Sequence, residues 1–279
     1  VSHQVDFVSG KTRMYGIVGD PIEQVRSPEM ITWEFHQRGV DALLVPLHVP
    51  AAQFDEVMPR LMQLANFDGF ILTIPFKVRG LNLADQWGPQ AQVLQGINAL
   101  IRRQDGGWTG EIFDGMGCVK AFERRGLAVR GQHLMLMGLG GAGGAIACAM
   151  AAQQPARMRL HDIDADRVAF IRGCIQRLSP TTVVETGPPQ IQGMNVLINA
   201  TPVGMLSDSR LPLAVTQLPS ELVVFDAIVM PEMTPLLTLA QACGCTWVQG
   251  REMMRGQIPT IVDAFLNPEA VGATPRPLG

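Results

Sequence analysis

Several features that would settle a function quickly are missing from this chain. No apolar stretch is long and uninterrupted enough to span a bilayer. The longest candidate, Leu134 to Ala152, is studded with glycines. No Lys/Arg run is present and the formal net charge is −3, which leaves no basic footprint for nucleic acid. Cys118, Cys148, Cys174, Cys243 and Cys245 form neither a CxxC pair nor a histidine-linked metal spacing. An odd count without a framework reads as reduced packing thiols in a cytoplasmic protein. His3, His36, His48, His133 and His161 make no ligand spacing either, so no metal is expected. Val1 to Arg13 lacks an apolar h-region, and no secretory signal is expected. Repeats and low-complexity linkers are absent. What remains is 47% hydrophobic and 17% charged residues over 279 positions, ample for a buried core in one large or two modest domains.

Short apolar runs alternate with amphipathic stretches, the pattern of an α/β protein built from βαβ units. In the first block the pattern predicts strands at Tyr15–Val18, Leu43–His48, Gly69–Ile74, Ile97–Arg102 and Trp108–Phe113. Helices are expected from a Ser27 cap with Pro28 at the first position toward Arg38, and over Phe54–Ala65. The second block predicts strands at Leu134–Gly138, Arg157–Asp162, Val183–Glu185, Val196–Ala200, Leu222–Ile228 and Thr246–Val248. Its helices are Gly143–Gln153, Asp166–Arg177 and Pro235–Cys243. Gln257–Leu266 has helical spacing and is expected to pack back on the first block, with a frayed tail around Pro268, Pro275 and Pro277. The single tryptophans Trp33, Trp87, Trp108 and Trp247 read as core or surface anchors.

The most specific local signal is Gly138-Leu139-Gly140-Gly141-Ala142-Gly143, a GxGxxG directly after an apolar strand and opening an Ala-rich helix. The first glycine permits a tight turn and the second lets backbone approach a pyrophosphate. The third allows close helix–strand packing. The helix start offers unpaired N–H groups and partial positive charge to phosphates. In that context the turn reads as dinucleotide-binding rather than purely structural. Asp162 follows Gly143 by 19 residues, where a carboxylate accepts the ribose hydroxyls of NAD and repels a 2′-phosphate. NAD is therefore favoured over NADP. Asp164 is a second candidate or simply a helix cap, and Arg167 lies inside the following helix.

In the first block two ionisable residues stand at strand ends, Lys77 after Thr73-Ile74-Pro75-Phe76 and Asp114 after Ile112-Phe113. An alcohol dehydrogenase must remove a hydroxyl proton while hydride leaves, and such a pair could do so. Spacing alone also allows a surface lysine and a turn aspartate.

Six blocks in order resemble the shikimate dehydrogenase family. They are Gly19-Asp20-Pro21-Ile22 with Ser27-Pro28, Thr73 to Lys77, Gly96-Ile97-Asn98, Asn199 to Met205, Asp226 with Pro231 and Thr234 to Leu237, and Gly250 to Met254 with Gln257. The resemblance runs from about Tyr15 to Leu266. It implies an N-terminal α/β substrate domain and a C-terminal Rossmann-like cofactor domain with a cleft between them. The corresponding boundaries are 1–113, with a helix in 258–279 packing back on it, and 114–257. Position by position it implies Lys77 and Asp114 as the catalytic pair. Thr73, Asn98 and Gln257 would hold substrate hydroxyls, and Ser27 would bind the carboxylate. Gly138, Gly140, Gly141, Ala142, Gly143, Asp162, Asp164, Arg167, Asn199, Ala200, Thr201, Pro202, Val229, Gly250 and Met254 would surround the cofactor. The implied reaction is hydride transfer between NAD and a ring hydroxyl of shikimate, quinate or a related cyclic hydroxy acid, as in aromatic amino acid biosynthesis. The protein would work as a monomer or homodimer on a small molecule, without nucleic acid or membrane.

Departures from the family pattern gather around the substrate. Val25, Ile71, Ile112-Phe113 and Val229 stand where the family carries Ser, Asn, Asn-Thr and Tyr. Each swaps a hydrogen-bonding group for an apolar one, and a substrate polar group left unpaired costs roughly 1–3 kcal/mol. Arg26 is a candidate replacement carboxylate ligand, since a guanidinium can make two parallel bonds. Same chemistry on an altered substrate is the expectation. The alternative is a catalytically weak NAD-binding paralogue with a sensor or scaffold role, against which the retention of both Lys77 and Asp114 argues. A methylene-tetrahydrofolate-type dehydrogenase shares the two-domain plan but fits the Thr-Pro segments less well.

Overall fold

In the computed structural model, which describes residues 8–276, the apolar runs sort into two separate sheets. The expectations about a secretory signal, His3 and Pro277 fall wholly or largely outside the described residues. The chain divides into two units. One gathers the described residues up to Phe113 with those from Ile258 onward, and the other is Asp114–Gln257.

The first unit begins with β1 (Arg13–Gly19), α1 (Ser27–Gln37), β2 (Ala42–His48), α2 (Phe54–Leu61) and β3 (Phe67–Leu72). It continues with β4 (Gln86–Trp87), α3 (Pro89–Leu94), β5 (Ala99–Arg102) and β6 (Trp108–Glu111). β1 pairs parallel with β2 and β3, placing Ile17 beside Ile71, while β5 runs antiparallel to both β3 and β6. Both faces of this sheet are covered, which is why β1 and β3 read as almost continuous apolar runs. One face packs Tyr15, Ile17, Ile71 and Ile101 against Ile31 and Phe35 of α1. The other packs Val18, Phe70, Leu72 and Leu100 against Phe54 and Met58 of α2. Gly69 is required by this packing, because a Cβ there would lie 2.5 Å from the Phe265 ring and 2.9 Å from Tyr15.

Ser27 is the first helical residue, not the cap; Arg26 holds the cap position and makes no side-chain capping bond. α2 stops at Leu61 rather than Ala65, because the N–H groups of Gln63 and Leu64 turn back on Arg60 and Leu61 in tight i→i−3 bonds before β3.

The second unit contains α4 (Asp114–Arg124), β7 (His133–Met137), α5 (Gly141–Ala152), β8 (Arg157–His161), α6 (Ala165–Leu178) and β9 (Val183–Thr186). It goes on to β10 (Val196–Asn199), β11 (Val223–Asp226), α7 (Pro235–Ala242), β12 (Thr246–Gln249) and the start of α8 (Gly250–Leu266). All six strands are parallel, in the order β12-β11-β10-β7-β8-β9. The order reverses at β7, the doubly wound arrangement in which ligands bind beyond the carboxyl ends of the strands. α4 lies so close to α5 that a Cβ on Gly115 would come within 2.3 Å of the Ala145 carbonyl oxygen.

α8 starts at Gly250, seven residues before its expected beginning. From Ile258 its apolar side chains, Ile258, Ile261, Val262 and Phe265, join the core of the first unit. The tail is not frayed through Pro275. β13 (Thr274–Pro275) pairs antiparallel with β4 and closes that edge of the sheet.

Candidate active site and dinucleotide turn

Beyond the ends of β1, β3 and β5 a ladder of backbone bonds continues into the loops. Thr73 N–H donates to Val18 O at 2.9 Å, and Asp20 N–H to Ile74 O at 3.0 Å. Leu72 N–H donates to Asn98 O at 2.8 Å, Ile97 N–H to Lys77 O at 2.8 Å, and Asn98 N–H to Glu111 O at 2.9 Å. Asn98, 3% exposed, also accepts from Phe113 N–H on its Oδ1 at 3.0 Å. Lys77 is therefore held next to Ile97-Asn98, and the same asparagine secures Phe113, the residue before Asp114.

The Lys77 loop is pinned on both sides. Phe76 is fully buried and stacks on Phe54 with ring centroids 4.1 Å apart. Arg79 donates to Ala51 O at 2.6 Å and lies over both rings. Lys77 itself is half-buried between these anchors, Thr73 is half-buried, and Gly19 leaves room for the Thr73 methyl, which a Cβ would meet at 2.4 Å. Ser27 is half-buried at the start of α1 and Arg26 is exposed beside it. Asp114, buried, and Gln257, half-buried, are grouped with the second unit.

The residues that depart from the family pattern are not scattered. Ile71 and Phe113 are both 6% exposed and belong to the apolar cluster of Tyr15, Ile17 and Ile31, with Val25 packed against it. Ile112 is buried as well.

In the second unit the three glycines divide their work. Gly138 has φ +83, and a Cβ there would sit 2.7 Å from the Ala200–Thr201 backbone. At Gly143 a Cβ would meet Gly138 O at 1.9 Å. Gly140 has nothing within 4 Å of such a Cβ and is exposed at the start of α5, which has no side-chain cap. Two glycines thus serve packing and the third keeps the space above Gly141 and Ala142 open, an arrangement that fits a pyrophosphate on the first amides of α5.

Asp162 and Arg167 grip the same residue of this turn. Asp162 Oδ2 accepts from Leu139 N–H at 2.5 Å, while Arg167 Nε donates to Leu139 O at 2.7 Å. Asp162 Oδ1 also accepts from Asp164 N–H at 3.0 Å, and the Asp164 carboxylate caps α6 through Asp166 and Arg167 N–H. A depression of about 540 Å³ opens where β8 and β9 end, lined by His161, Asp162, Ala165, Arg172, Thr186 and Gly187 among others.

Asn199 ends β10 and Ala200, Thr201 and Pro202 follow it, and the backbone of Ala200 abuts Gly138. Val229 is half-buried after β11. Gly250 opens α8 where a Cβ would strike the carbonyls of Ala227 and Ile228 at 2.5 Å, and Met254 is buried one turn on. Sequence reasoning assigned no role to Asp226 and Thr234, which are completely buried together with Asn199. Thr234 caps α7 and also donates to Asp226. A carboxylate ending an apolar strand, eight residues before a Thr-Pro helix start, was the available signal. Among the described residues no cluster of His, Cys, Asp and Glu could hold a metal ion, and no helix is long and apolar enough to cross a membrane. Cys118, Cys148, Cys174 and Cys245 are buried and unbridged, and Cys243 is half-buried and unbridged.

Comparison with known proteins agrees with this geometry. Residues 17–100 match the family model described as the shikimate dehydrogenase substrate binding domain. A shikimate dehydrogenase (NADP(+)) from Paramagnetospirillum magneticum is 31% identical over 255 residues, covering 90% of this chain and 91% of that protein. Among solved structures, a shikimate dehydrogenase in complex with NADP+ has a TM-score of 0.84 at 24% identity, covering 95% of both chains. The 5-ketofructose reductase of a Gluconobacter strain has a TM-score of 0.78 at 25% identity, covering 92% of this chain and 94% of that one.

These relatives overturn the expectation that NAD is the favoured cofactor. The Paramagnetospirillum protein and others similar over 90% of this chain are named for NADP(+). The expectation of NAD rested on Asp162, whose carboxylate also accepts from Leu139 N–H of the glycine turn and from Asp164 N–H. Two sheets of the right order, a glycine turn at the strand ends and similarity along nine-tenths of the chain lead to one conclusion: this protein belongs to the shikimate dehydrogenase family.

Proposed function

We propose that the protein interconverts a ring hydroxyl and a ketone of a shikimate-type cyclic hydroxy acid, using NADP(H), and that its substrate carries fewer polar groups than shikimate. The bound nicotinamide supplies the hydride acceptor or donor. Lys77 takes the hydroxyl proton as the carbon is oxidised and returns it in the reverse direction, with the Asp114 carboxylate stabilising the ammonium form. The observation that carries this reading is the bonded ladder around Asn98, which fixes the Lys77 loop and Phe113, the neighbour of Asp114. Thr73, Asn98 and Gln257 are assigned to substrate hydroxyls, and Ser27 with Arg26 to its carboxylate. In the second unit, Gly138 to Gly143, Arg167, Asn199 to Pro202, Val229, Gly250 and Met254 are assigned to the dinucleotide.

The substrate preference follows from the apolar wall of Val25, Ile71 and Phe113. A hydroxyl facing that wall loses its water without gaining a partner, at about 1–3 kcal/mol each. A ring without those hydroxyls avoids the loss. The Gluconobacter neighbour, named for 5-ketofructose, supports the idea that this architecture serves ketones other than dehydroshikimate. Lys77→Met tests the proton role: kcat is expected to fall by roughly 10²–10⁴ while NADP+ binding changes little. Turnover unchanged in that variant would remove Lys77 from the mechanism.

A further inference from the structure

The second unit holds a buried carboxylate that the proposed chemistry does not use. Asp226 ends β11, is 0% exposed, and accepts three hydrogen bonds. Its Oδ1 receives Asn199 Nδ2 and Ile228 N–H, each at 3.1 Å, and its Oδ2 receives Thr234 Oγ1 at 2.7 Å. Asn199 is 0% exposed too, and its own Oδ1 accepts from Thr201 N–H at 3.0 Å and Thr201 Oγ1 at 2.7 Å. Thr201 Oγ1 then accepts from Val203 N–H at 3.2 Å. The chain of bonds runs from Asp226 through Asn199 to the backbone of residues 201–203, whose first peptide lies against Gly138 of the glycine turn.

An ionised carboxylate only accepts hydrogen bonds, so it dictates which end of the Asn199 amide faces it. The nitrogen must point to Asp226, and the oxygen is left for Thr201. Without that constraint the amide could rotate and present N–H to Thr201 N–H; the loop would lose that bond, and Thr201 Oγ1 would have to accept from the amide instead of donating to it. We infer that Asp226 is a positioning residue for dinucleotide binding: through Asn199 it holds the 199–203 loop in the conformation that receives the cofactor. Its burial opposes its own ionisation and raises its pKa, yet no charged side chain compensates; the opposing influences are the three hydrogen bonds alone. A merely structural cap for α7 would need only Thr234, which already accepts from Leu237 N–H at 3.2 Å.

This inference rests on the assignment of Asn199 and Thr201 to the dinucleotide, and the test separates the two. NADP(H) binding by nucleotide fluorescence, with steady-state kinetics, is measured for wild type, Asp226→Leu, Asp226→Asn and Thr234→Val. Asp226→Leu removes every acceptor; if it fails to fold, Asp226→Ser, with a shorter side chain, takes its place. The expected result is at least about tenfold weaker NADP(H) binding, equivalent to ~1.4 kcal/mol, with the KM of the hydroxy acid nearly unchanged. Asp226→Asn, whose oxygen can still face Asn199 and Ile228, is expected to recover binding to within about threefold of wild type. Thr234→Val is expected to lower the melting temperature but leave NADP(H) binding within about twofold. Equal weakening in the Asp226 and Thr234 variants, or none in either, overturns the positioning role while the functional reading stands. Wild-type protein that binds no dinucleotide overturns the functional reading and this inference together.

Discussion

At Asp226 burial works against ionisation, and the pKa is pushed up to about 6 although Thr234, Ile228 and Asn199 pull it down. A carboxyl whose pKa is higher folded than unfolded binds more protons in the folded state. Its contribution to stability is complete below the unfolded value near 3.8 and is lost as pH rises through about 6. Denaturant titrations of wild type and Asp226→Asn at pH 4 and pH 7 measure this directly. The wild type is expected to lose roughly 2 kcal/mol relative to the variant across that interval. A difference of the opposite sign would mean that the hydrogen bonds outweigh burial. Single residues are also where the sequence misled most. Asp162 sits at the place of a ribose ligand, and its oxygens accept from Leu139 and Asp164 N–H; nothing in the order of residues reveals which donors a carboxylate serves.

Among the elements, the glycine turn lends itself to a clean separation of folding from binding. Gly138→Ala places a Cβ at φ +83 and 2.7 Å from backbone, and is expected to destabilise the protein by about 1–3 kcal/mol or more. Gly140→Ala enters open space and is expected to leave the melting temperature unchanged while weakening NADP(H) binding. Loss of stability in Gly140→Ala, measured by thermal unfolding, would contradict this division. Strands covered on both faces were legible because apolar residues follow one another without a break, as in Leu134–Met137 and Val196–Ile198. α4 was not legible. It opens Asp-Gly-Met-Gly, and its two glycines, poor helix formers, are present because Gly115 and Gly117 pass close to Ala145 and Met253. α3 and β4 are six and two residues long, too short for a period to show. β13 escaped notice because its proline suits only an edge strand.

For the molecule as a whole, the alternation of apolar runs and amphipathic stretches carried the architecture, and the glycine turn marked the strand at which the sheet order reverses. The chemistry was legible in part. Lys77 and Asn98 lie far apart in sequence, and the structure shows the bond between Ile97 and Lys77 that brings their loops together. The apolar substitutions were visible as separate departures, and the structure packs Ile71, Phe113 and Val25 on one apolar cluster. The apolar wall proposed from them makes the central claim specific: family chemistry on a less hydroxylated ring. The most direct test is the kcat/KM of NADP+ reduction with shikimate, quinate, aminoshikimate and cyclohexene or cyclohexane acids bearing fewer hydroxyls. The account predicts a less hydroxylated acid at least about tenfold better than shikimate, the equivalent of one lost polar contact. Shikimate as the best substrate of the panel would contradict it.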